Sequence, residues 1–201
     1  MVDPLRGELV LASASPFRRR MLEAAGLSFR VMPGDVDEVA IRQRLATADV
    51  VRIAATLAQA KAVAVSEAYP EALVIGADQV LDFNGRLFSK PNGLDEARTQ
   101  LKALRGNAHQ LHTAAALAQA GTILWGYTET ARLVMRTFSD AFLDRYLAEV
   151  GTRVCHTVGA YEIEGRGIQL FERVEGDSFT IIGLPLLALL VELRARGAID
   201  A

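Results

Sequence analysis

The sequence predicts a fold that mixes strands and helices along its whole length, α/β or α+β, as one cooperative domain over residues 1–201. Three observations predict it. Residues 73–77, Leu-Val-Ile-Gly-Ala, form a short continuous apolar run, the pattern of a buried central strand. Residues 49–69 repeat Val50, Ile53, Ala54, Leu57, Ala58 and Val65 every three to four positions, the pattern of a long amphipathic helix. No repeat, linker or low-complexity stretch divides the chain, which is long enough to bury a proper core.

Taken in order, residues 9–12 read as a first strand. Ser15 is placed to cap a helix that Pro16 opens and Gly26 ends. Residues 28–32 read as a second strand, followed by a loop carrying Asp35, Asp37 and Glu38. Lys61 stands on the mostly apolar stripe of the helix at 49–69. Either its stem snorkels at the core edge or its ammonium is aimed into a cleft. The strand at 73–77 runs into Asp78, at the carboxyl end where open α/β sheets place ligands. Asn84-Gly85 joins a hairpin of 79–83 and 86–88, closed by Ser89-Lys90-Pro91. A helix at 94–104 leads to two long strands, 108–119 and 122–136, turned at Ala120-Gly121. Ser139 caps a helix that Gly151 ends. The segment 158–167 is turn-rich, and 168–174 reads as a strand. Gly183-Leu184-Pro185 opens a last helix whose Leu186, Leu187, Leu189, Leu190 and Leu193 read as core.

Composition narrows the function. A net charge of −2 gives no basic coat for nucleic acid and no cationic face for a membrane. Cys155 is the one cysteine, which excludes an intrachain disulfide and fits a reducing compartment. The start of the chain has no basic, apolar leader. The run 179–191 holds Gly183 and Pro185 and falls short of the roughly 20 residues that span a bilayer. The expectation is a soluble cytoplasmic protein without nucleic-acid or membrane partners. Lysine occurs only at 61, 90 and 102, so each lysine is informative.

Arg18, Arg19 and Arg20 in the first turn of a helix oppose its macrodipole. Free N–H groups, dipole and guanidinium groups together favour an anion there; the alternative is a solvated basic face. Ser13, Asp37, Glu38, Asp78, Lys90 and Glu164 read as strand-end or turn residues beside apolar segments, and Arg18 and Lys61 stand on the helices. As a set they offer acids for a divalent cation and bases for phosphates, the mixture that phosphoryl chemistry needs. Singly, Asp78 also suits a turn cap and Lys90 a hairpin exit. His109 and His112 fall on opposite faces of a strand and do not suit one metal site. Neither a Gly-x-x-x-x-Gly-Lys-Ser/Thr loop nor a Gly-x-Gly-x-x-Gly turn is present.

Leu-Ala-Ser-Ala-Ser-Pro at 11–16, Ile-Gly-Ala-Asp at 75–78, Ser-Lys-Pro at 89–91, Gly-Ala-Tyr at 159–161 and Gly-Leu-Pro at 183–185 stand in register over nearly the whole chain. In that order and spacing the sequence resembles the Maf family of nucleoside triphosphate pyrophosphatases. The resemblance implies an α/β fold on a long bent mixed sheet with flanking helices and a central cleft between two lobes, similar to inosine triphosphatases. It implies a hydrolase of acid anhydrides that uses a divalent cation, Mg or Mn, to split a nucleoside triphosphate between its α and β phosphates. A homodimer is also implied.

Carried over by position, Asp78 matches the general base and, with Glu38, the metal-binding acids. Ser13, Arg18, Lys61 and Lys90 match substrate-binding positions. Phe17, Gln79 and Glu164 resemble the branch acting on 7-methyl-GTP; the branch acting on dTTP and UTP carries Arg, Thr and Gln there. A 7-methylated guanine is cationic, so an aromatic face and a carboxylate suit it. Tyr161, in contrast, is closer to the pyrimidine branch, and Thr157 matches neither expectation. The alternatives are a dTTP/UTP pyrophosphatase and a non-catalytic nucleotide-binding regulator of cell division.

Overall fold

The computed structural model describes residues 7–45 and 49–200. In chain order the elements are β1 (Leu9–Leu11), α1 (Pro16–Ala24), β2 (Arg30–Val31), α2 (Glu38–Leu45), α3 (Val50–Ala68), β3 (Leu73–Phe83) and β4 (Arg86–Phe88). There follow α4 (Leu94–Leu104), β5 (Ala108–Gln119), β6 (Thr122–Met135), α5 (Asp140–Val150), β7 (Phe171–Glu175), α6 (Ser178–Ile182) and α7 (Leu186–Ala195). Two 3₁₀ turns, Gly151–His156 and Arg166–Leu170, lie between α5 and β7.

The strands form one mixed sheet in the order β2-β1-β3-β5-β6-β7, with β4 paired to β3. β1 pairs parallel with both β2 and β3, in register at Leu11↔Ile75. β4 pairs antiparallel with β3, and β7 with β6. The fold class is therefore the α/β arrangement that the sequence predicts.

Local chemistry sets the element ends. Ser15, Asp49 and Ser139 side chains accept from Arg18 N at 3.4 Å, Arg52 N at 3.1 Å and Phe142 N at 3.2 Å, each satisfying an otherwise unpaired helix N–H. Asn84 and Gly85, at φ 54° and 80°, and Ala120 and Gly121, at φ 47° and 75°, turn their hairpins in the left-handed region.

By backbone contacts the chain groups into two compact units. The first holds the segment up to Gln79, Thr113–Glu129 and the segment from Gly183; the second holds Val80–His112 and Thr130–Ile182. In the first unit, Val10, Leu11, Ile75 and Ala77 of the strands and Ile53, Leu57, Ala58 and Ala62 of α3 are buried, with Leu186, Leu189 and Leu193 of α7. In the second, Leu101 and Leu104 of α4, Leu133 and Met135 of β6 and Leu143 and Tyr146 of α5 form one apolar cluster.

Several expectations are corrected. The loop around Glu38 contains α2, capped by Asp37, whose Oδ1 accepts from Ala40 N at 2.9 Å. No residue of α2 is buried, so it leaves no apolar period in the sequence. Asp78 is not at a strand end: β3 continues unbroken to Phe83, because Val80 and Leu81 are as buried as the residues before it. The second strand shrinks to Arg30–Val31. Residues 168–170 belong to a 3₁₀ turn, and β7 starts at Phe171. Leu187 points outward, 60% exposed, and Leu190 is half-buried, since α7 turns only one face inward.

Candidate active site

The site is built on a close approach of backbone to backbone. Gly76 of β3 lies directly on α3: a β-carbon there would stand 2.1 Å from Ala58 O and 2.8 Å from Ala62 Cβ. Ala54, Ala58 and Ala62, one helical turn apart, are all fully buried beneath the strand. A lone glycine in an apolar strand is the sequence signal of such an approach. Gly34 makes a second such approach to α3, where a β-carbon would meet Lys61 O at 2.7 Å. The segment leading into α2 is thus pressed onto α3 at Lys61.

These contacts bring two acids to one lysine. Lys61 Nζ donates to Asp78 Oδ1 at 2.6 Å and pairs with Glu38 Oε1 at 2.8 Å. Glu38 Oε2 also meets Arg42 Nη2 at 3.3 Å, one turn further along α2. The Lys61 side chain is only 12% exposed and that of Asp78 8%, whereas Glu38 is 41% exposed. The Lys61 ammonium is thus turned to two carboxylates rather than out to solvent. Asp78 Oδ2 is buried and has no hydrogen-bond partner in the structure.

Arg18 forms the second half of the cluster. Its Nε donates to Gly183 O at 2.7 Å, and its Nη1 donates to Ser13 Oγ and Ala77 O, both at 3.0 Å. One guanidinium thereby ties the β1–α1 turn, the residue before Asp78 and the turn before α7. Burial makes Arg18 a weaker base than usual, while the negative charges of Asp78 and Glu38 act in the opposite sense. It remains a cation, because guanidinium does not lose its proton in proteins. Two carboxylates, one ammonium and one guanidinium balance in charge, as low-dielectric surroundings require.

Ser13, itself buried, accepts from both Arg18 Nη1 and Ser15 N, the latter at 3.3 Å. With both lone pairs engaged, its hydroxyl proton is left to donate. Arg19 is exposed and paired with Glu23, so the three arginines do not act as one patch. Arg20 lies over the Phe17 ring, 4.8 Å from its centroid, and Phe17 is on the buried face of α1. Gln79 Nε2 donates to Thr113 Oγ1 at 2.9 Å, and Thr113 is fully buried.

Thr113, Gly34 and the carbonyls of Ala77 and Gly183 are absent from the sequence-based site. A backbone carbonyl leaves no trace in residue type. Gly183 at φ 132° does leave one, since a side chain there is strained.

Ser13, Phe17, Arg18, Glu38, Lys61, Asp78 and Gln79 all belong to the first unit, and Lys90 and Glu164 to the second. Lys90 is exposed after β4, where Ser89 O accepts from Gln100 Nε2 at 2.9 Å and fixes the hairpin exit on α4. Glu164 is exposed in the turn before the second 3₁₀ segment. His109 and His112 go to different partners, Tyr161 Oη and Thr130 Oγ1, each at 2.8 Å. Among the described residues no group of three or more His, Cys, Asp or Glu side chains is placed to hold a metal ion. No helix among them is long and apolar enough to cross a membrane.

Comparison with known proteins agrees with this framework. The profile of the family described as Maf-like protein matches residues 8–196. A 7-methyl-GTP pyrophosphatase of Mesorhizobium japonicum is 50% identical over 195 residues, covering 96% of this chain and 98% of the relative. One from Rhizobium etli is 47% identical over the same coverage. A nucleoside triphosphate pyrophosphatase of Caulobacter vibrioides is 48% identical, covering 95% of this chain and 96% of its own length. With a family match that runs from β1 to the end of α7, the chain belongs to the Maf family.

Proposed function

We propose that this chain hydrolyses a nucleoside triphosphate between its α and β phosphates, giving the monophosphate and pyrophosphate, with 7-methyl-GTP as preferred substrate. The observation that carries the reading is Asp78. One of its oxygens is fixed by Lys61 at 2.6 Å, and the other is buried without a partner. A carboxylate held this way is suited to orient a water and take its proton as the water attacks phosphorus. Lys61 and Arg18 supply cationic charge beside it, where negative charge is brought in on the phosphates. Ser13, with its proton left to donate, suits a phosphate oxygen.

The acids fit a divalent cation of the Mg²⁺ or Mn²⁺ type. Hard cations take one or two carboxylates and fill their other positions with phosphate and water oxygens, and Asp78 Oδ2 is an unpaired buried oxygen next to the Glu38 pair. Glu38 and Asp78 would hold the ion, which when bound spreads charge off the phosphates and the leaving pyrophosphate.

For Lys90 as a phosphate contact and Glu164 as a base-reading acid, support comes from their motif positions. A carboxylate accepts from guanine N1–H and N2–H, a pattern no pyrimidine offers. Gln79 replaces the Thr of the pyrimidine branch and is anchored by Thr113. The names of the rhizobial relatives support the same base preference. A reducing, cytoplasmic setting suits the single Cys155.

The test is pyrophosphate release from 7-methyl-GTP with Mg²⁺ or Mn²⁺, in the wild type and in Asp78→Asn. The wild type releases pyrophosphate. The variant falls by about 10²–10⁴-fold while keeping its far-ultraviolet circular dichroism. Retained turnover in Asp78→Asn contradicts the catalytic assignment, and tight nucleotide binding with no release contradicts the activity.

A further inference from the structure

We propose that Lys61 stands in for a divalent cation in the nucleotide-free protein, so that the ion enters with the triphosphate and not ahead of it. This rests on the reading of the site as a triphosphate hydrolase. Lys61 Nζ bridges Asp78 Oδ1 and Glu38 Oε1 at 2.6 and 2.8 Å, and so offsets the repulsion between the two acids. The bridge is held by two close approaches to α3, that of Gly76 to Ala58 and Ala62 and that of Gly34 to the Lys61 backbone.

A free divalent ion meets a carboxylate pair that is already neutralised. The protein also offers it little beyond these two acids, since no group of three or more candidate side chains is formed among the described residues, and water has to fill its other positions. Such ions take about six oxygens or more. A triphosphate changes both conditions, because it brings the missing oxygens together with the negative charge that Lys61 needs in exchange. Lys61 can pass from carboxylate to phosphate while the acids pass to the ion, so that the ammonium and both carboxylates each keep a partner of opposite charge. Lys61 is therefore a residue that sets the order of binding as well as a phosphate contact.

The test is equilibrium binding of Mn²⁺ to the full chain, followed by calorimetry and by the electron paramagnetic resonance of bound Mn²⁺. It is run with and without the α,β-methylene analogue of GTP, which cannot be split at that bond. Wild type is expected to bind Mn²⁺ alone about tenfold or more weakly than it does with the analogue, once the ion held by free analogue is subtracted. Lys61→Met and Lys61→Gln are expected to bind Mn²⁺ alone about tenfold more tightly than wild type. Wild type that binds Mn²⁺ equally well with and without the analogue overturns the proposal. So do folded Lys61 variants with no gain in Mn²⁺ affinity. If neither variant folds, the wild-type titrations decide. No turnover is measured, so a protein that shows this linkage yet releases no pyrophosphate refutes the activity and leaves the linkage standing.

Discussion

One oxygen of Asp78 is fixed by Lys61 and the other is buried unpaired, and this asymmetry singles the residue out chemically. Arg18 is the converse case, a side chain with three acceptors on three separate segments. Lysine cannot reproduce that fork. Arg18→Lys is expected to lose about 1–3 kcal/mol of stability, because buried carbonyls of Ala77 and Gly183 lose their donor. Urea midpoints check it, and turnover is expected to fall with them because the Ala77 carbonyl precedes Asp78. A variant of wild-type stability would show that the three contacts carry no load.

His109 gives a second residue-scale prediction. Burial lowers it from 6.5 to about 4, and the neutral ring is held against Tyr161 Oη. Between those two values the unfolded chain binds the proton that the folded chain refuses. Stability is therefore unaffected above pH 6.5 and is lost progressively as pH falls towards 4, by about 3 kcal/mol in all. His109→Gln is expected to flatten that part of the profile in urea melts between pH 7 and 4, whatever its effect at neutral pH. An unchanged slope would contradict the buried neutral histidine.

At the scale of elements, the packing of α3 on β3 positions the chemistry. Gly76→Ala places a β-carbon 2.1 Å from Ala58 O, and the obstacle is backbone. The variant is expected to lose about 1–3 kcal/mol from overpacking. Its turnover is expected to fall because Lys61 and Asp78 are pushed apart. Normal turnover with a normal melting midpoint would show that the close approach is not needed.

Much of this is legible in the sequence. Capping side chains and turn glycines are local, so the ends of α1 and α5 and the turn at Ala120-Gly121 follow from sequence alone. Lys61 was conspicuous because lysine is rare in this chain and because this one interrupts an apolar stripe. α2 buries nothing, so it has no periodic signature, and Asp37 as a cap is its one local signal. In the sequence Asp78 reads as a strand end, because a carboxylate usually stops an apolar run. Here Lys61 supplies the partner that lets it sit buried within β3.

At the scale of the whole molecule, the match to the Maf family runs from residue 8 to 196 and includes segments of both compact units. The motifs that carry the resemblance are scattered along the chain, and in the first unit the fold gathers the residues at 13, 18, 38, 61 and 78 into one charge-balanced cluster. What sequence could not show were the parts without side-chain identity. These are the carbonyls that seat Arg18 and the bare backbone faces at Gly34 and Gly76.

The central claim, hydrolysis of a triphosphate with preference for a 7-methylated guanine, is tested most directly by kcat/KM for pyrophosphate release. The substrates to compare under one metal concentration are 7-methyl-GTP, GTP, dTTP and UTP. 7-Methyl-GTP is expected to be turned over about tenfold or more better than the others. Faster turnover of dTTP or UTP would contradict it.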